Sequence, residues 1–304
     1  MGTLFRIVLY APDDATAKAA AKAAFARVAE LNRIMSDYLA DSELMQLCKK
    51  AGGDCVPVSA DLFTILLKSE EVSKLTDGAF DVSVGPIVRL WRVARKTKKL
   101  PDAEELKRAL AKVDFRSIRL DADRRTVHLL MAGMLLDLGG IAKGYAADAV
   151  LEVLRWRGIT SALVAAGGDI AVGDAPADAK AWKVAIAPFQ EADKTPPQYL
   201  SLKHAAVSTS GDANQYVEIA GTRYSHIVDP KTGMGQLGRR RVTIIAPTGT
   251  MADGLATAAC VLGPEKGVQM IERQSDFAAL FVHESADGIV STPSKRLPNY
   301  LWKD

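Results

Sequence analysis

The chain opens on a run of apolar and alternating residues, Thr3-Leu4-Phe5-Arg6-Ile7-Val8-Leu9-Tyr10, that has the pattern of a β-strand. The period then lengthens. Behind Asp13-Asp14, the residues Ala24, Val28, Leu31 and Met35 keep helical spacing through an Ala-rich stretch, which predicts an amphipathic helix ending near Ser36. A second helix is signalled by Ser59 as N-cap, by Leu62, Ile65, Leu66 and Val72 on one face, and by Gly78 just past its end. Asp102 opens a third, with Leu106, Leu110 and Val113 inward. Two β-like runs between 117 and 136 flank the turn-forming Asp121-Ala122-Asp123 and predict a hairpin. A helix over 140–157 follows, with Ala146, Ala149, Val150, Val153 and Leu154 as its apolar face and Gly158 closing it.

The second half reads mostly as strands, at 162–164, 182–186, 200–207, 242–245 and 278–282, with a hairpin turning at Ala220-Gly221. Short helices fall at 251–262 and 265–273. Helices and antiparallel-looking hairpins mix without a regular βαβ alternation, which predicts an α+β fold rather than a doubly wound parallel sheet. No internal repeat is present, and residues 1–304 read as one domain. The basic stretch Arg92, Arg95, Lys96, Lys98 and Lys99 reads as a solvated loop ahead of the helix at Asp102.

With 304 residues, 48% of them hydrophobic, the chain is long enough for one large core or two closely fused lobes. Its 39 basic and 36 acidic residues nearly cancel, so no whole-molecule field points to nucleic acid or an anionic membrane. Any anion must be held locally. Cys48, Cys55 and Cys260 form no C-x-x-C pair, which disfavours a disulfide framework or structural zinc. The apolar runs fall far short of the roughly 18 residues that span a bilayer, so the expectation is a soluble chain. No charged n-region, apolar h-region and cleavage site precede the first strand, so the chain either never carried a leader or begins after one.

Four segments carry candidate chemistry. Gly233-Met234-Gly235-Gln236-Leu237-Gly238 fits G-x-G-x-x-G, but a turn at Asp229-Pro230 precedes it and a strand follows. A dinucleotide loop needs a strand before it and a helix N-terminus after it, so a Gly-rich hairpin loop is the better reading. Asp253 and Thr257, four apart, share one face of a helix. A carboxylate with a hydroxyl suits Mg²⁺, while helix capping by Asp253 is the plainer alternative and is favoured by spacing alone. Asp137-Leu138-Gly139-Gly140-Ile141-Ala142-Lys143 leads from a strand into a helix through paired glycines, either to approach an anion or simply to turn tightly. His226, one of four histidines, stands near Asp229 at the end of a strand, placed to accept a proton or to hydrogen-bond at a turn.

Read in order, these segments join others. Met1-Gly2-Thr3, Met35-Ser36-Asp37-Tyr38 with Asp41-Ser42-Glu43-Leu44, Gly78-Ala79-Phe80-Asp81-Val82-Ser83-Val84-Gly85-Pro86, the 137–145 run, Ser208-Thr209-Ser210-Gly211-Asp212, the 226–230 run and Ala252-Asp253-Gly254-Leu255-Ala256-Thr257 together resemble the ApbE family of FAD:protein FMN transferases. The resemblance runs from Met1 to about Ile271. It implies an α+β fold of two closely fused lobes, of mixed and largely antiparallel sheet with packed helices, that binds FAD in a cleft with Mg²⁺ at its pyrophosphate. By motif position, Met1, Tyr38, Ala79, Phe80, Asp81, Asp137, Lys143 and Ile227 would line the FAD site. The metal would fall on Asp253, Thr257 and the main-chain carbonyl of Gly140, since glycine has no side chain to offer.

The activity this resemblance implies is Mg²⁺-dependent transfer of the FMN half of FAD to a threonine or serine hydroxyl of an acceptor protein, with AMP leaving. His226 is the expected base and Asp229 its helper. Acceptors would resemble subunits of sodium-pumping NADH:quinone oxidoreductases or other FMN-binding electron carriers, in the periplasm, with lipid anchoring through a leader absent from this chain. Two other readings remain. In one, water replaces the acceptor, giving an FAD pyrophosphatase; in the other, the chain binds and stores FAD without chemistry.

Overall fold

Side-chain caps set many of the element boundaries in the computed structural model, which describes residues 2–186, 188–189, 198–211 and 215–303. The first half runs β1 (Phe5–Leu9), α1 (Asp14–Met35), α2 (Glu43–Cys48), β2 (Val56–Pro57), α3 (Ala60–Leu75), α4 (Gly85–Thr97), α5 (Ala103–Leu110), β3 (Ile118–Asp121), β4 (Thr126–Leu129) and α6 (Ala142–Trp156). Then come β5 (Ala162–Ala166), β6 (Asp169–Val172), β7 (Trp182–Ala185), β8 (Tyr199–Leu202), β9 (Ala205–Gly211), β10 (Tyr216–Ile219), β11 (Thr222–Val228) and β12 (Gly235–Leu237). The chain ends with β13 (Arg240–Ala246), α7 (Gly249–Glu272), β14 (Ala278–Ser285) and β15 (Gly288–Pro293). Asp13, Ser42, Ser59, Asp102 and Thr248 each accept a backbone N–H of the helix they precede, satisfying donors that the first turn leaves open.

Seven strands form the main sheet in the order β1-β5-β6-β9-β13-β14-β15, every neighbouring pair antiparallel. Alternation along β13 and β14 divides its two faces. Val242, Ile244, Ala279 and Phe281 turn into the large core shared with the helices. Ile245, Ala278, Leu280 and Val282 turn into a second core, closed by the β7-β8 hairpin through Trp182, Val184, Leu200 and Leu202. A third cluster packs α1 and α6 on the β1-β5 end of the sheet through Ala20, Ala24, Ala147, Val150 and Val164. A separate three-stranded sheet, β10-β11-β12, packs on α4 through Trp91, Val217 and Val228. The fold is α+β with largely antiparallel sheet, as the pattern of the sequence predicts.

Two local readings need correction. Arg92, Arg95 and Lys96 of the basic stretch lie not on a loop but on α4, with Lys98 capping its end and Lys99 beyond it, because Ile87, Trp91 and Ala94 recur at helical spacing and are buried, and Pro86 sits in the first turn. The 200–207 run is two strands, β8 and β9, since His204 takes φ 46° and turns the chain between them. The two helices predicted at 251–262 and 265–273 are both present: α7 is broken between them at Gly263, whose φ of 80° makes a kink next to Pro264. The elements α2, β6, β12 and β15 had no reading of their own.

The crossing of α6 and α7 is the tightest feature of the core. A Cβ on Gly144 would meet the Gly249 carbonyl oxygen at 2.0 Å, and one on Gly249 would meet the Gly144 oxygen at 2.6 Å. Asp148, one turn along α6, accepts Gly249 N–H at 2.7 Å and Thr250 N–H at 2.8 Å, so α6 caps the start of α7. Gly144→Ala is expected to force the helices apart and lower stability by about 2–3 kcal/mol or more, the range of overpacked cores. A denaturant midpoint within error of wild type would show that the crossing yields without cost.

Candidate active site

Two buried carboxylates and a half-buried ammonium meet where α6, α7 and the main sheet converge. Lys143, in the first turn of α6, places Nζ 3.1 Å from both carboxylate oxygens of Asp253 and 3.2 Å from the Gly139 carbonyl. Asp253 Oδ2 also accepts the Gly144 N–H at 3.1 Å. On the other side, Asp169 Oδ2 at the start of β6 lies 3.0 Å from the same Nζ, while its Oδ1 accepts the Ser208 hydroxyl. The two aspartates are buried, and the half-buried Lys143 ammonium stands between their carboxylates. Burial, then the charge of Asp169, pushes the Asp253 carboxyl up, and Lys143 and the Gly144 N–H offset this only in part. Burial alone would lower Lys143, but its two carboxylate neighbours outweigh that and hold the ammonium protonated.

Thr257 stands one turn beyond Asp253, with Oγ1 3.5 Å from the Gly140 carbonyl oxygen. Gly140 has no room for a side chain, since a Cβ would meet Thr257 Oγ1 at 2.9 Å and Phe80 Cε2 at 3.3 Å. This donor set fits Mg²⁺. All its atoms are hard oxygens, and cis ligands of an ion bound at about 2.1 Å lie ~3 Å apart, close to the Thr257–Gly140 spacing. Among the described residues no cluster of three or more His, Cys, Asp or Glu side chains makes a closed metal cage. An ion held by one carboxylate, a hydroxyl and a carbonyl leaves positions for water and phosphate oxygens, the habit of Mg²⁺.

A second charged group adjoins the first along residues 137–143. Arg92 of α4 bonds Asp37 and lies 3.1 Å from Asp137 Oδ2, and its guanidinium covers the ring of Tyr38, 4.2 Å from the centroid. Tyr38 is itself 72% exposed. Asp137 Oδ1 accepts the Gly139 N–H at 2.8 Å. Burial and the charge of Asp37 raise the Asp137 carboxyl, against the pull of Gly139 N–H and Arg92. Ala79 and Phe80 are buried in the large core, with the Phe80 ring edge against Gly140. Both oxygens of Asp81 are engaged within the protein, Oδ1 by Ser83 N–H and hydroxyl at 2.8 and 2.6 Å and Oδ2 by Phe115 N–H at 2.9 Å.

His226 and Asp229 occupy a different element. His226, on β11, has Nδ1 2.9 Å from the Gln215 carbonyl oxygen. A carbonyl only accepts, so Nδ1 carries the hydrogen and the neutral ring has its lone pair on Nε2. Asp229 closes the strand, its Oδ1 accepting Lys231 N–H at 2.7 Å and its backbone pairing with Met234 and Gly233. Ile227 between them is buried in the large core. No described hydrogen bond or ion pair joins His226 or Asp229 to Asp253. The link is α4, where Trp91 Nε1 donates to the Gly233 carbonyl at 2.8 Å and Arg95 reaches Gln215 Oε1 at 3.4 Å. Met1 lies outside the described residues, as does Asp212.

Sequence reasoning missed Asp169, Ser208, Arg92 and Asp37 as members of these groups. Arg92 was hidden among charges read as a loop. For Asp169 a signal was present: Gly167-Gly168 precede it as Gly139-Gly140 precede Lys143, marking two places where backbone turns tightly beside a buried charge.

The chain matches the model of the ApbE family over residues 1–281. A protein from Treponema pallidum named FAD:protein FMN transferase is 35% identical, with 93% of this chain and 82% of that protein aligned. The solved flavin transferase ApbE from Vibrio cholerae superposes with a TM-score of 0.89 at 30% identity, covering 99% of this chain and 96% of that one. The apo flavinyl transferase ApbE from Pseudomonas stutzeri gives 0.87 at 31% identity, covering 100% and 95%.

Arg92 is expected to be the most sensitive of the exposed-side charges. Arg92→Leu leaves Asp37 and Asp137 facing each other without a cation, and should lower stability by about 2–4 kcal/mol, toward the lower end of the cost of breaking a buried pair. Chemical denaturation at neutral pH checks this, and the loss should shrink when Asp37→Asn is added.

Proposed function

We propose that this chain, which belongs to the ApbE family, transfers the FMN half of FAD to a threonine or serine hydroxyl of an acceptor protein and releases AMP. The observation that carries this reading is the Thr257 hydroxyl 3.5 Å from the Gly140 carbonyl, one helical turn from the buried carboxylate of Asp253. Such a set leaves the remaining positions of an ion to water and to phosphate oxygens, which a pyrophosphate can supply. The near full-length match to a protein named FAD:protein FMN transferase supplies the flavin and the acceptor.

Each residue then has a task. Asp253, Thr257 and the carbonyl of Gly140 hold Mg²⁺ against the pyrophosphate. When bound, the ion neutralises charge as the P–O bond breaks and orients the FMN phosphorus for in-line attack. Tyr38, covered on one side by Arg92 and otherwise exposed, offers an aromatic surface for a flat ring of the substrate. His226 takes the proton of the acceptor hydroxyl on Nε2, the Nδ1–H bond to Gln215 fixing that tautomer. Asp229, ending the same strand, is its helper. Acceptors are FMN-binding electron carriers such as subunits of sodium-pumping NADH:quinone oxidoreductases, and the compartment proposed is the periplasm.

Incubation with FAD, Mg²⁺ and a flavin-acceptor domain, followed by separation of the products, tests the reading. AMP in step with flavinylated acceptor is the expected result. AMP with free FMN alone would make the chain a pyrophosphatase, and bound FAD without products would make it a storage protein.

Asp253→Ala should abolish Mg²⁺-dependent turnover, while Thr257→Ala weakens it, because the carboxylate carries the charge and the hydroxyl is a neutral ligand. Unchanged FAD cleavage by Asp253→Ala would remove the proposed metal site.

His226→Ala should still bind FAD and Mg²⁺ but transfer FMN about 10²–10⁴-fold more slowly, the range for loss of a general base. Single-turnover transfer at saturating FAD, run beside a melting curve, separates this from a structural role. A near-normal saturated rate would pass base catalysis to another group.

A further inference from the structure

Asp253 has two suitors. The proposed divalent ion needs its carboxylate, yet the arrangement of the chain alone already sets the Lys143 ammonium 3.1 Å from each oxygen. A metal bound at about 2.1 Å to one of those oxygens would stand next to the ammonium, and in an interior of low polarity two cations at that separation repel strongly. Lys143 therefore has to give way. It cannot simply withdraw, because Asp169 is buried on its other side and would be left an unpaired charge.

Asp169 supplies the alternative position. Its Oδ1 is engaged by the Ser208 hydroxyl. Its Oδ2, 3.0 Å from Lys143 Nζ, is buried and lacks a hydrogen bond of good geometry among the described residues. Buried acceptors are nearly always satisfied, so this oxygen is placed for a donor that turns toward it. Among the described residues, the side-chain ammonium in contact with it is that of Lys143.

We propose that Lys143 covers Asp253 as a built-in competing cation and is handed to Asp169 Oδ2 when a divalent ion binds. The proposal rests on the reading of Asp253 as a metal ligand. Asp169 is then a positioning residue: it acts on metal affinity through Lys143, not by touching the ion. The charges agree with this. Two carboxylates and one ammonium sum to −1, and a divalent ion brings the cluster to +1, whereas without Asp169 the loaded cluster would stand at +2 before substrate arrives.

The test is a double-mutant cycle read as Mn²⁺ affinity by electron paramagnetic resonance, with Mg²⁺ as competitor and without substrate. Asp169→Asn is expected to weaken binding about tenfold or more, because Lys143 then stays on Asp253. Lys143→Met should tighten it about tenfold, and in a chelator should lower the melting temperature by leaving two buried carboxylates together. The decisive entry of the cycle is Asp169→Asn in the Lys143→Met background, where its effect should fall to about twofold or less. An undiminished effect there would mean that Asp169 acts as a simple field, and would overturn the hand-over while leaving the metal site standing. Mn²⁺ binding unchanged in Asp253→Asn would instead overturn the metal reading itself. A second measurement does not depend on Lys143→Met folding. In wild type carrying ¹⁵Nζ-labelled lysine, the Lys143 signal should shift on Mg²⁺ addition and remain protected from exchange. An unmoved signal at saturating Mg²⁺ would overturn the proposal.

Discussion

The site depends on how closely two helices can approach. At the crossing of α6 and α7 the backbone of Gly144 faces that of Gly249 with no space for a side chain on either. This contact lets the Gly144 N–H reach Asp253 and puts Lys143, its neighbour, on the same carboxylate. Asp148 fixes the other coordinate by accepting Gly249 and Thr250 N–H groups, which sets the rotation and height of α7 against α6. A helix cap and a glycine pair thus locate the reactive oxygens, and rigid elements hold such geometry better than loops do.

Electrostatically, the site is built from one theme used twice. Arg92 stands between Asp37 and Asp137, and Lys143 stands between Asp169 and Asp253. Residues 137–143 contribute one member to each group, so the turn through Gly139 and Gly140 joins them. Each group carries one more negative charge than positive. Ion pairs of this kind stabilise a fold poorly, because desolvation offsets most of their attraction. At the Lys143 group, the excess of negative charge agrees with the proposed divalent ion.

Much of the architecture was legible in the sequence because long amphipathic helices repeat their signal. The helices α1, α3, α5 and α6 announce themselves by caps and by apolar spacing, and their observed ends fall within a few residues of those marks. The helix α4 was not legible, since a strongly basic outer face masks Ile87, Trp91 and Ala94, and charge density reads as solvation. Within the site, helical spacing put Asp253 and Thr257 on one face, but spacing alone favoured capping, and only the family resemblance turned the pair into candidate metal ligands. Asp169 was not, since it reaches Lys143 only through the order of strands in the sheet, and nothing local in the chain records that order.

The same helix that hid in the sequence connects the two halves of the proposed chemistry. At its start, a Cβ on Gly85 would meet the Leu135 carbonyl at 2.6 Å, and Val84 bridges to Leu135, so α4 is anchored to the segment that leads into Gly139 and Gly140. From its middle, Arg92 turns to Asp37 and Asp137, whereas Trp91 and Arg95 turn to Gly233 and Gln215 of the His226 sheet. The Gln215 carbonyl that orients His226 therefore belongs to a residue held by α4 as well. Displacement of α4 would shift the histidine relative to the oxygens of Asp253 and Thr257 without touching either. Arg92 and Arg95 thus reach to opposite sides, and the helix lies between the proposed base and the proposed metal ligands.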